Sequence, residues 1–231
     1  MMFRELLDAW RSADPLKDMY EKLLDMLETG QWMFCRCWEA AKQGKVDATV
    51  KKDVYRRDIE VNRAERAIRR RIVEHLTMQP GVDVAACLIL MSVVKDAERI
   101  GDYCKNVLEA GELEAEPLTG CAFYERFEGI YNDVRSLFEK TRRALAESDA
   151  TLGHEVIEEE RSIVGCCDAV VERLAAEDLP SCKGVPWALV ARHLKRIAAH
   201  LGNMASSLVM PLHKLDYYDE KWLPGVEDRD D

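Results

Sequence analysis

The sequence predicts an all-α protein made of two tandem antiparallel three-helix bundles, six long helices in all. Three observations carry that expectation. Apolar residues recur with helical period along nearly the whole chain, and no run shows strand alternation. Glycine and proline number 12 and 7 in 231 residues while 33% are charged, a balance that favours helices over a sandwich or barrel. The chain also repeats itself internally, and such repeats weigh heavily in choosing an architecture.

The helices are expected at 15–43, 46–78, 83–110, 115–146, 149–176 and 185–212, cut at glycine, proline or short polar stretches. Asp14-Pro15 reads as an N-cap followed by proline at the first helical position. Asp83 is placed to cap the third helix, and Ser148 or Asp149 the fifth. Connections of a few residues between helices of this length favour antiparallel neighbours. The repeat is seen twice. Asp47-Ala48-Thr49 opens the second helix and Asp149-Ala150-Thr151 the fifth. Glu98-Arg99-Ile100-Gly101-Asp102-Tyr103, with Asn106, lies in the third helix, and Lys195-Arg196-Ile197-Ala198-Ala199-His200, with Asn203, in the sixth. A duplicated three-helix unit follows, at 12–112 and 113–214, with an acidic tail at 215–231 that includes Tyr217-Tyr218-Asp219-Glu220 and is expected to be partly disordered.

Composition excludes several functions. A net charge of −10 makes a poor general nucleic-acid binder, since phosphate contacts need a basic surface. The first eleven residues carry Arg4, Glu5 and Asp8 inside their apolar run, which fits no secretory signal. No stretch is long and apolar enough to span a membrane, so the chain reads as soluble and cytoplasmic. Eight cysteines stand at 35, 37, 87, 104, 121, 166, 167 and 182, none in C-x-x-C spacing, and are expected as buried, reduced packing thiols. Cys35-Arg36-Cys37, beside Trp32, Phe34 and Trp38, reads as a packed aromatic face. Gly-rich phosphate loops, the G-x-S-x-G elbow and H-E-x-x-H are all missing, and no enzyme is expected.

The residues that stand out are acids. Glu98 and Asp102 are four apart on one helix and share a face. By helical angle they continue the stripe of Val84, Leu88 and Met91, while Ile89, Val93, Ile100 and Val107 form the opposite one. Asp58, Asn62 and Glu65 continue the second helix's stripe of Val54, Val61, Ile72 and Leu76. Acids on an inward stripe need partners, because an isolated buried carboxylate is costly. A metal ion would serve, and so would ion pairs to Arg63, Arg66, Arg69, Arg70 or Arg71.

The string Asp58-x-x-Val61-Asn62-x-x-Glu65, followed by Glu98-Arg99-Ile100-Gly101-Asp102-x-x-x-Asn106, resembles the PhoU family of phosphate-uptake regulators. The resemblance spans about residues 15 to 213. It implies two side-by-side three-helix bundles and a metal site at Glu98, Asp102, Asp58 and Asn62, with Glu65 nearby. The ion would be divalent or trivalent: iron, zinc, manganese or magnesium. All-oxygen ligation suits a hard cation. It further implies regulation by contact with a phosphate transporter or sensor kinase, peripheral membrane association through that partner, and compatibility with a homodimer. A metal-binding or metal-sequestering bundle with no phosphate role is the alternative.

The second repeat departs from the motif. Glu160 fits the first acidic position, but Val164, Lys195 and Ala199 occupy the others, with Cys167 where Glu65 stands in the first repeat. Metal is therefore expected in the first repeat only. His193 and His200, seven apart on one face, read as hydrogen-bonded packing residues with a substitute ligand pair as the other reading.

Overall fold

The computed structural model describes residues 14–44, 46–113, 117–120 and 122–216. Within them stand six α-helices and no strand. They are α1 (Asp14–Ala41), α2 (Ala48–Met78), α3 (Val84–Glu112), α4 (Tyr124–Glu147), α5 (Ala150–Ala176) and α6 (Ser181–Val209). The cluster at Tyr217–Glu220 and the run before Asp14 lie outside the described residues.

Both repeat-related aspartates cap their helices in the same way. Asp47 accepts from Thr49 N at 2.7 Å, and Asp149 from Thr151 N at 2.9 Å and Leu152 N at 3.1 Å. Ser148, the rival cap, instead ends α4 in the left-handed region at φ 55°. Asp83 does not cap α3. It too is left-handed, at φ 55°, and its side chain faces His75 Nε2 at 3.2 Å.

Two predicted starts are corrected. α4 begins at Tyr124 rather than 115, after a 3₁₀ turn at Leu118–Gly120. Pro117 disfavours helix at the residue before it, and Leu118 N donates to Lys42 O at 2.9 Å, tying the connection to the end of α1. α6 starts at Ser181, before Pro186 rather than beside it. Pro186 therefore lies inside the helix, where it removes one backbone donor, and it is buried.

Helices α1, α2 and α3 pack on one another, and so do α4, α5 and α6. The two sets meet where α3 lies along α6 and α1 along α4. α2 and α5 are thus the outer helices. The α1–α4 seam is aromatic: Phe34 and Trp38 stack on Tyr131 with centroids 5.2 and 5.3 Å apart, and Phe138 and Phe127 extend the cluster to Trp187 of α6. Phe34, Cys37 and Trp38 are fully buried, as the packed-face reading of this stretch requires. Gly111 allows the ends of α1 and α3 to touch, for a Cβ there would sit 2.5 Å from that of Ala41.

Candidate functional site

Helix α2 turns Val54, Asp58, Val61, Glu65, Ile68 and Ile72 inward together, so its acids do lie on the buried stripe. On α3 the outcome is mixed. Ile89, Val93, Ile100 and Val107 are buried, whereas Val84 and Leu88, placed on the same stripe as Glu98, are exposed. Glu98 and Asp102 sit at the edge of the α2–α3 interface, with side chains 13% and 32% exposed.

The structure brings Asp58, Asn62 and Asp102 together around a residue the sequence reading missed. Lys105 Nζ lies 2.8 Å from Asp58 Oδ2 and 3.0 Å from Asp102 Oδ1, and Asn62 Nδ2 donates to Asp58 Oδ2 at 3.2 Å. Burial opposes the charge of Lys105, but the bonds to Asp58 and Asp102 outweigh it and raise its pKa above the usual lysine value. Glu98 faces Lys95 at 2.9 Å and Arg99 at 3.8 Å, and Glu65 faces Arg69 at 3.1 Å. Of the five arginines of α2 offered as partners, Arg69 alone pairs with one of the inward acids. Arg71 pairs with Asp18 of α1, and Arg66 Nε donates to the Asn62 carbonyl at 3.1 Å.

Two observations bear on a metal ion. Asp58 Oδ1 and Asn62 Oδ1 are buried oxygens that accept no hydrogen bond, a donor chemistry suited to a hard cation, while the buried Glu65 Oε1 is already met by the Arg69 guanidinium. Against that, no group of three or more His, Cys, Asp or Glu side chains among the described residues is placed to hold an ion. The Lys105 ammonium takes the place between Asp58 and Asp102. In this arrangement the residues do not fit a metal cage, and the carboxylates are neutralised from within the chain.

In the second repeat Glu160 is buried, and Cys167 is a buried thiol that desolvation pushes up to about 12. Lys195, in the place of Glu98, holds both oxygens of Asp168 at 2.6 and 2.7 Å. A shallow groove of about 320 Å³ beside them is lined by Val171, Val185, Ala188 and Leu189. The expectation that the cysteines are buried is corrected in part. Cys37, Cys87, Cys104 and Cys167 are, but Cys166 and Cys182 are exposed and Cys35 is half-buried.

Between the repeats lies a second polar cluster. Asp96 of α3, almost wholly buried, accepts from His200 Nδ1 at 2.7 Å and Asn203 Nδ2 at 3.1 Å, both on α6. Tyr103 lies between the rings of His200 and His193, with centroids 5.5 and 5.9 Å away. His200 is thus the hydrogen-bonded packing residue expected. His193 Nδ1 is buried without a hydrogen-bond partner, and burial lowers its pKa below the ordinary histidine value.

Comparison with known proteins fits this architecture. The PhoU domain family matches residues 16–111, which are α1 to α3. Residues 16–111 thus match a PhoU domain. A phosphate-specific transport system accessory protein PhoU homolog from Synechocystis is 29% identical over 154 residues, covering 63% of this chain and 67% of its own length. The crystal structure of PhoU from Pseudomonas aeruginosa superimposes with a TM-score of 0.75 at 21% identity, over 87% of this chain and 98% of that one. A phosphate transport system regulatory protein PhoU from Streptococcus pneumoniae gives 0.74 at 16% identity, over 90% and 97%. Those two likenesses extend over most of this chain and establish its fold. Among the described residues no helix is long and apolar enough to cross a membrane.

Proposed function

We propose that this protein is a regulator or accessory of phosphate transport that works in the cytoplasm by contact with a transporter or sensor kinase rather than by catalysis. The observation that carries the reading is the PhoU domain at residues 16–111, which contains both acid-bearing strings, Asp58 to Glu65 and Glu98 to Asp102. The Synechocystis relative, named as a transport accessory protein, supports it. Deleting the gene in its host and following phosphate uptake under replete and limiting phosphate tests it. Uptake that responds to phosphate as before would reject the assignment.

A metal-binding reading has one observation in its favour, the two buried oxygens Asp58 Oδ1 and Asn62 Oδ1 that accept no hydrogen bond. An ion entering there would have to displace the ammonium of Lys105 from Asp58 and Asp102. Elemental analysis of the purified protein and of Lys105→Met decides it. Stoichiometric iron, zinc or manganese that is lost in Glu98→Ala/Asp102→Ala and kept in Glu160→Ala would establish the site in the first repeat. No bound metal in either the wild type or Lys105→Met would dismiss it.

A further inference from the structure

The end of the α2–α3 hairpin presents a feature that the acid site does not use. Met78, Val73, Leu88, Val82 and Val84 are exposed there at 80, 58, 46, 45 and 40%. At 1.5 Å per residue all five lie within about 8 Å of the turn along the helix axes. Single exposed apolar side chains are ordinary, but five around one tip form a patch. Two carboxylates lie near the turn Gln79-Pro80-Gly81: Asp83, which His75 engages, and Glu74, 3.9 Å from Arg70.

The flank of this tip is cationic. α2 carries nine lysines and arginines against five acids in a protein whose net charge is −10. Arg63, Arg66 and Arg70 are exposed on the turns of α2 leading to the tip. Among the described residues no ion pair engages Arg63 or Arg66, and Arg70 has only Glu74, 3.9 Å away. α5, the outer helix of the second repeat, has the reverse balance, six acids against two bases. The molecule is therefore polarised from edge to edge, with its apolar tip on the positive edge.

We propose that this corner is a docking surface for an anionic lipid bilayer. Apolar side chains at a hairpin end can enter the interfacial region while guanidiniums behind them meet lipid phosphates, and several bases near a membrane each add to binding. Charge complementarity favours this partner over an apolar protein cover, which would leave the arginines with nothing to neutralise. The acidic edge faces away from the surface in that orientation, so the overall negative charge does not oppose docking at short range. The inference stands independently of the phosphate reading.

The test is co-sedimentation of the full chain with vesicles of phosphatidylglycerol and phosphatidylcholine, and with phosphatidylcholine alone, at low and high salt. Binding is expected to the anionic vesicles only and to fall with salt. Arg66→Glu/Arg70→Glu and Val82→Asp/Leu88→Asp should each weaken it on the order of tenfold or more. Circular dichroism confirms that these surface variants remain folded. Failure of the wild type to bind, equal binding to neutral vesicles, or binding unmoved by both variants overturns the proposal. So does binding that appears only when residues 1–13 are removed. Asp18 pairs with Arg71, which places the start of α1 near this end, and that result would mean that the patch is covered by the chain's own first segment.

Discussion

Lys105 reaches from α3 to put its ammonium 2.8 Å from the buried carboxylate of Asp58 on α2. The same nitrogen is 3.0 Å from Asp102, so one lysine neutralises an acid on each of two helices. Asp58, Glu65, Glu98 and Asp102 thus each have a base from their own chain, and among those bases Lys105 is the one that spans the two helices.

Replacing Lys105 by Met keeps the length of the side chain and removes its charge. Asp58 then stays buried without a cation, and breaking a buried pair from one side costs about 3 kcal/mol. A urea melt should show a loss of that order. The stabilisation from Lys105 is complete below the ordinary lysine pKa and disappears as pH rises through its raised folded value. The difference between wild type and variant should accordingly shrink only under strongly alkaline conditions. Equal stability at neutral pH would show that Lys105 is not the counter-ion of Asp58.

The Asp96–His200 contact joins the two repeats through a buried carboxylate. A double-mutant cycle with Asp96→Ala and His200→Ala should give a coupling of about 1–3 kcal/mol, since neighbours that share a hydrogen bond are not additive. Additive losses would mean that the two residues merely pack nearby.

Gly111→Ala should destabilise the fold by about 1–3 kcal/mol, as overpacking does. The added Cβ would meet Ala41 at 2.5 Å from its Cβ and 2.6 Å from its Cα, and backbone cannot move aside as a flexible side-chain end can. Thermal unfolding compared with Gly129→Ala, where nothing lies within 4 Å, isolates the effect. Similar changes in both variants would contradict the close approach of α1 and α3.

His193 supplies a pH dependence. Its folded pKa is depressed, chiefly by burial, so the unfolded chain takes up a proton that the folded one resists. Its contribution is present above an unfolded pKa of about 6.5 and is lost as pH falls through the folded value. Stability should decline on acidification from neutral pH, and His193→Leu should flatten part of that decline. Proton NMR should place the titration of His193 below the ordinary histidine range. A midpoint above it would reverse the sign and refute the account.

Much of this arrangement could be read from the sequence, and what could not has physical reasons. The inward stripe of α2 was legible because Val54, Val61 and Ile72 frame Asp58 and Glu65 at helical spacing. The α3 stripe misled. Helical angle aligns Val84 with Glu98, but the first turns of α3 stand at the turn end of the hairpin, where Val84 and Leu88 are exposed. Lys105, three residues after Asp102, was visible as a neighbour of that acid, yet its bond to Asp58 depends on the register of α2 against α3, which spacing within one helix does not fix. Nothing in the sequence around Asp96 marks it, because its donors lie more than 100 residues away, on α6.

The α3–α6 and α1–α4 contacts have a practical consequence. Family comparison recognises residues 16–111, but a polypeptide cut after α3 would leave Asp96 without His200 and Asn203, and Phe34 and Trp38 without Tyr131. The later half offers an oxygen at only one of the four motif positions, Glu160, yet it supplies these partners, so its packing matters to the fold where the motif is absent. Recognition and foldability have different footprints in this chain, and an expression fragment trimmed to the first would come out sticky and poorly folded.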